Sequence, residues 1–111
     1  MTKGVEFLGS LEQIVLLALV RLGSDAYGVA VRLEIEKRTG RSLSIGAIYA
    51  TLGRLEAKGF VTSRIGEATA ERGGRAKRYF RVEADGLRAL RASQRALDNM
   101  SAGLRKRLES P

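Results

Sequence analysis

Apolar positions along this chain follow a helical period, switch to alternation, and return to the helical period. "LEQIVLLALVRLG", from Leu11, has apolar residues almost all round a helical wheel, which predicts a central core helix ending at Gly23. Ser10, with Gln13 three residues later, has the form of a capping box. "SDAYGVAVRLEIEKRTG", residues 24–40, reads two ways. Val29, Val31, Leu33 and Ile35 alternate as in a strand. Ser24 or Asp25 as a cap, the Glu, Lys and Arg content and the closing Gly40 favour a helix.

"SIGAIYATLGRLEAKG", residues 44–59, is plainer. Ser44 caps it, Gly59 ends it, and Ile45, Ile48, Leu52 and Leu55 share one face. The opposite face carries Gly46, Ala47, Ala50, Arg54 and Lys58, flanked by Thr51 and Tyr49. A helix facing only solvent more usually carries Glu, Lys or Gln there, so this face is built for close approach to another surface.

Alternation then takes over in "FVTSRI", residues 60–65, and "KRYFRV", residues 77–82, which predicts a hairpin across "GEATAERGGRA". From Ala84 to Leu108 the helical pattern returns, with Leu90, Leu97 and Leu104 every seven residues and Leu87, Met100 and Leu108 around them. A helix of about 25 residues would run about 37 Å, more than one small core covers, so the stripe is expected to pack on a second copy of the chain.

Composition narrows the chemistry. The 111 residues suit one compact unit. Twenty Lys and Arg against twelve Asp and Glu give a net charge of +8, which points to a polyanionic partner. With no Cys and no His, disulfides, Cys/His zinc sites and Ser-His-Asp or Cys-His catalysis are excluded. The longest apolar run, Ile14–Val20, is too short to span a bilayer. No charged-then-apolar leader is visible, and a cytoplasmic location is expected. Glu67, Glu71, Asp85 and Asp98 lack a paired spacing for acid–base work, so no enzyme is expected. "RGGRAK" lacks the spacing of a nucleotide-binding loop, and no cofactor is expected.

Three helices, a hairpin and a long helix in a basic chain give the order of a winged helix-turn-helix, a mainly α fold with a small β element. Residues 44–58 would then be the helix that enters the major groove of double-stranded DNA, and 25–38 its support. Thr51 could offer a methyl to thymine or a hydroxyl to a base or phosphate, and Arg54 suits a phosphate. "ERGGRAKRYF", residues 71–80, becomes the tip and second strand of the wing. Gly73 and Gly74 let its backbone turn close to the duplex, while Arg72, Arg75 and Lys77 meet phosphates or enter the minor groove. Tyr79 either bonds a phosphate or covers the hairpin.

"DAYGVAV", "SIGAIYATLGRLEAKGFV" and "ERGGRAKRYFRVEADGLRAL" together resemble the PadR family of bacterial transcriptional regulators, over roughly residues 10–92. The resemblance implies a helix for residues 24–40. It also implies a repressor, often released by a small molecule, that binds a palindromic operator as a homodimer. Residues 1–83 would form the DNA-binding domain and 84–111 the dimerisation helix, joined through Leu87, Leu90, Leu97, Met100, Leu104 and Leu108. Tyr27 would lie near a phosphate at the second helix's N-terminus, Tyr49 beside the reader face, and Arg72, Arg75 and Lys77 on the wing. The chain departs from the family in having Ala50 where many members have Pro, and in having no Trp. Other readings are a different winged-helix regulator, MarR-like or penicillinase-repressor-like, or a sequence-neutral nucleoid protein held by charge.

Overall fold

Apolar side chains from every major element meet on one helix. The computed structural model describes residues 7–66 and 76–110. In order these form α1 (Ser10–Leu22), a 3-10 turn (Gly23–Asp25), α2 (Gly28–Thr39), α3 (Ile45–Ala57), β1 (Val61–Ile65), β2 (Arg78–Val82), α4 (Ala84–Ser101) and α5 (Arg105–Glu109). Val15, Leu16 and Leu19 of α1 pack in one core with Val31 and Ile35 of α2 and with Ile48, Leu52 and Leu55 of α3. Val61 and Phe80 close it from the hairpin, and Ala89 and Leu90 from α4. The core does not take all of α1: Leu17 and Val20 stay exposed.

Two helix starts differ from the capping expected. The N-cap of α1 is Gly9, and the Glu12 carboxylate accepts the Gly9 amide at 3.1 Å. Gln13, the expected partner of Ser10, instead donates its side-chain amide to the Leu8 carbonyl at 3.0 Å. Tyr27, not Ser24 or Asp25, is the N-cap of α2, because those two residues are spent in the 3-10 turn. α2 is a helix, and its strand-like alternation has a simple origin. Val31 and Ile35 lie one turn apart on the buried face, while Val29 and Leu33 lie one turn apart on the exposed face.

β1 and β2 pair antiparallel, from Val61 opposite Val82 to Ile65 opposite Arg78. Beyond Ile65 the ladder continues, with the Gly66 amide donating to the Lys77 carbonyl at 2.7 Å. The far edge of β2 is also occupied. The Phe80 amide donates to the Ala26 carbonyl at 2.8 Å, and Tyr27 bridges to Tyr79. The segment just before α2 therefore docks on the wing, fixing the helix-turn-helix against the hairpin.

The C-terminal helix is not the continuous 25-residue rod that the leucine spacing predicts. α4 has 18 residues, about 27 Å, and α5 has five. Ala102–Leu104 separate them, and Gly103 sits at φ 79°, a left-handed conformation that ends the helix. The stripe divides as well. Leu90 is buried in its own core, next to Ser93, whose hydroxyl accepts the Leu8 amide at 2.9 Å. Leu87, Leu97, Met100, Leu104 and Leu108 remain exposed. Leu90 therefore cannot serve as the expected contact with a second copy: its own domain has taken it, because the first turns of α4 lie on α1.

Candidate nucleic-acid interface

α3 is held from below by apolar packing and left uncovered above. The Ser44 hydroxyl accepts the Ala47 amide at 3.0 Å, which fixes the helix start. Ile48, Leu52 and Leu55 are fully buried, so the helix cannot roll without leaving the core. The outward side presents Gly46, Ala50, Gly53, Arg54 and Ala57, all exposed, with Ala47 half-buried at its margin.

Two residues of α3 and its C-cap do not stand where the periodicity put them. Ile45, expected in the core, is 38% exposed at the first position of the helix. Thr51, expected to reach a base or phosphate, is wholly buried. Its hydroxyl donates to the Ala47 carbonyl at 2.8 Å and accepts from an Arg54 Nη at 3.1 Å, which leaves it nothing to offer DNA. Lys58 turns from the outward face to α1, its Nζ 2.8 Å from Glu12 Oε2. Burial alone would raise the Glu12 carboxyl. The Lys58 and Gly9 hydrogen bonds and the charges of Lys58 and Arg54 outweigh it and hold the group below the usual carboxylate range. Arg54 keeps an exposed position and bridges the buried threonine to the helix surface.

Tyrosines organise the neighbouring ground. The hydroxyl end of Tyr49 lies directly over Gly28, where any Cβ would collide with it, so Gly28 is what lets α3 and the start of α2 approach this closely. The Tyr49 ring is also 6.4 Å from that of Phe80. Tyr27 and Tyr79 meet edge to face at 5.7 Å. Cations flank this pair: Lys77 Nζ is 4.1 Å from the Tyr27 ring centroid, and the Arg64 guanidinium is 4.6 Å from that of Tyr79. Tyr27, Tyr49 and Lys77 thus gather at the N-terminus of α2, where free amides and the helix dipole favour an anion. Ser44, Ala47, Ala50 and Arg54 line the adjoining helix. Arg78 Nη1 donates to Ser63 Oγ at 2.9 Å, and that hydroxyl donates to Glu56 Oε2 at 2.8 Å, tying the wing to the end of α3. Arg72, Gly73, Gly74 and Arg75 lie outside the described residues.

Sequence reasoning missed Arg64 and the docking of residues 26–27 on β2. A two-residue strand has no period to detect, and Arg64 looks like any other outward position of an alternating run. The Tyr79 ring lies over Gly66 of the hairpin and beside Tyr27. Among the described residues no helix is long and apolar enough to cross a membrane.

Known structures share this arrangement. A PadR-family transcriptional regulator from Eggerthella lenta is 27% identical, with 91% of this chain and 88% of that chain covered at a TM-score of 0.69. A transcriptional regulator from Clostridium thermocellum is 20% identical, with 86% and 90% covered at 0.71. A PadR-like regulator from Bacillus cereus is 20% identical, with 91% and 93% covered at 0.69. No curated protein sequence gives a significant match. The family model of PadR-like transcriptional regulators matches residues 16–92, which span α1 from its middle, the helix-turn-helix, the hairpin and the first half of α4, and on this ground the chain belongs to the PadR-like family of DNA-binding transcriptional regulators.

Proposed function

We infer that this regulator acts in the cytoplasm as a homodimeric repressor on a roughly palindromic operator. The observation that carries the reading is the uncovered face of α3, rigidly backed by Ile48, Leu52 and Leu55 and bordered by Lys77 and the tyrosines at the start of α2. A helix with that backing and that bare front fits a major groove, with phosphates taken at its edges. Arg54 and Lys77 serve phosphates, joined by Arg72 and Arg75 from the wing. Residues 1–83 do the binding. The segment 84–111 supplies dimerisation through Leu97, Met100, Leu104 and Leu108, which are exposed apolar side chains on one chain and would be covered by its copy. Release by a small molecule belongs to the same reading, and with no Trp in the chain that ligand is not sandwiched by indole rings.

The test is fluorescence anisotropy on the duplex upstream of the protein's own gene and on a scrambled duplex of equal composition, each across a salt series. A preference of about 10³ or more for the natural duplex is expected of an operator-specific regulator. Equal affinities for both duplexes, falling steeply with salt, would instead favour a charge-held nucleoid protein.

A further inference from the structure

Base edges are met by the first turns of a reader helix. In α3 those turns present Ser44, Ile45, Gly46, Tyr49 and Ala50, all exposed. Their two hydroxyls, Ser44 and Tyr49, are set by neighbouring structure. Ser44 Oγ already accepts the Ala47 amide, and the Tyr49 hydroxyl lies over Gly28 on α2. Thr51, in the next turn, is sealed in the core with its hydroxyl both donating and accepting inside the protein. Arg54 leans back on that same hydroxyl. Bidentate reading of guanine or adenine needs a guanidinium, ammonium or carboxamide, and these two turns contain none. Besides the Ser44 and Tyr49 hydroxyls, what they present is hydrocarbon, on the outward side at Ala50 and on the flank toward α2 at Ile45. Ile45 is a large aliphatic side chain left 38% exposed, and Ala50 offers its methyl. In the major groove, the base feature that hydrocarbon can read is the C5 methyl group of thymine.

We propose that Ile45 and Ala50 are specificity-determining residues that read thymine C5 methyl groups by apolar contact. Gly46, where an added Cβ would come into ordinary contact with Ser44 Oγ at 3.9 Å, leaves no side chain between the helix backbone and the groove. The proposal rests on the operator-binding function inferred above. It also implies that a 5-methylcytosine at such a position outcompetes cytosine, since it carries the same methyl in the same place.

An operator is selected from a randomised duplex library with the full chain, and each of its thymines is replaced singly by deoxyuridine, which removes only the methyl. Affinities are read by anisotropy at one salt concentration. At the thymines facing Ile45 and Ala50 each replacement is expected to weaken binding about fourfold, the factor that burial of one methyl supplies. In Ile45→Ala the penalty should vanish at one set of these thymines and persist at the set facing Ala50. Ile45→Val, the milder change, should reduce the first penalty without abolishing it. A selected operator that the wild-type protein binds with no deoxyuridine penalty at any position overturns methyl reading and leaves operator binding intact. A library that yields no enriched sequence overturns both.

Discussion

α3 and α4 each leave a surface uncovered, and the two surfaces are opposites in kind. That of α3 is nearly bare, with glycine and alanine along it and Arg54 toward one side. That of α4 is the far end of its core face: the apolar stripe that buries Ala89 and Leu90 in the first turns runs on past the core, leaving Leu97 and Met100 well exposed, with Leu104 beyond the break. Small side chains lose little by exposure and permit close approach, which suits a groove lined by phosphates. Large apolar side chains lose hydration free energy for as long as they stay uncovered, roughly 25 cal/mol per Å², which suits a like surface. The composition of an unpartnered face thus identifies the chemistry of what covers it.

If the faces are specialised in this way, they should fail separately. The largest effect is expected from Leu97→Asp with Met100→Asp, which puts charge in the proposed interface of copies. Analytical ultracentrifugation should show a monomer, and operator affinity should drop about 100-fold or more once two half-sites are no longer engaged together. A double variant that still sediments as a dimer would place the interface elsewhere. Ala50→Glu sets a carboxylate on the bare face of α3. It should lose about 100-fold in operator affinity while remaining a dimer, with an unchanged circular dichroism spectrum. Normal DNA binding by this variant would remove α3 from the groove.

Lys77→Ala is a finer probe. Removing one phosphate-binding ammonium per subunit should reduce the slope of log affinity against log salt by about 0.9 for each, roughly two per dimer. The smallest effect concerns the support of α3. Lys58→Met leaves the Glu12 carboxylate without its ammonium partner and should cost about 1–2 kcal/mol in chemical denaturation at neutral pH, this pair being only partly buried. The Glu12 carboxyl is depressed in the folded protein, so the stability it contributes is present above its unfolded pKa and is lost as pH falls through the folded one. The stability gap between wild type and Lys58→Met should therefore close on acidification below the carboxylate range. A gap that persisted at low pH would mean that the lysine acts by packing its stem.

Much of this was legible in the sequence because long periodic elements announce themselves. Ile48, Leu52 and Leu55 gave α3 its face, and Val61, Phe80 and Val82 gave the hairpin its alternation. What escaped was decided by contacts between distant residues. Thr51 sits at the margin of the helix wheel, and only the packing around α3 turns it inward. Lys58 looks outward on the wheel until α1 supplies Glu12, 46 positions away in the chain. Leu90 belongs to a seven-residue repeat, yet α1 claims it first. The repeat itself overstates the helix, because Gly103 has helical neighbours in sequence but a left-handed backbone. Capping misled in a similar way: Ser10 has the right residue type, but the amide in need of a partner lies one residue earlier.

The most direct test of the division between the two faces is hydrogen–deuterium exchange of the full chain, free and bound to its selected operator. DNA is expected to slow exchange in peptides covering the start of α2, α3 and the wing. Peptides from α4 and α5 should exchange alike in both states if, as proposed, a second copy covers that face in the free protein. Operator-dependent protection confined to α4, with α3 unaffected, would contradict that division.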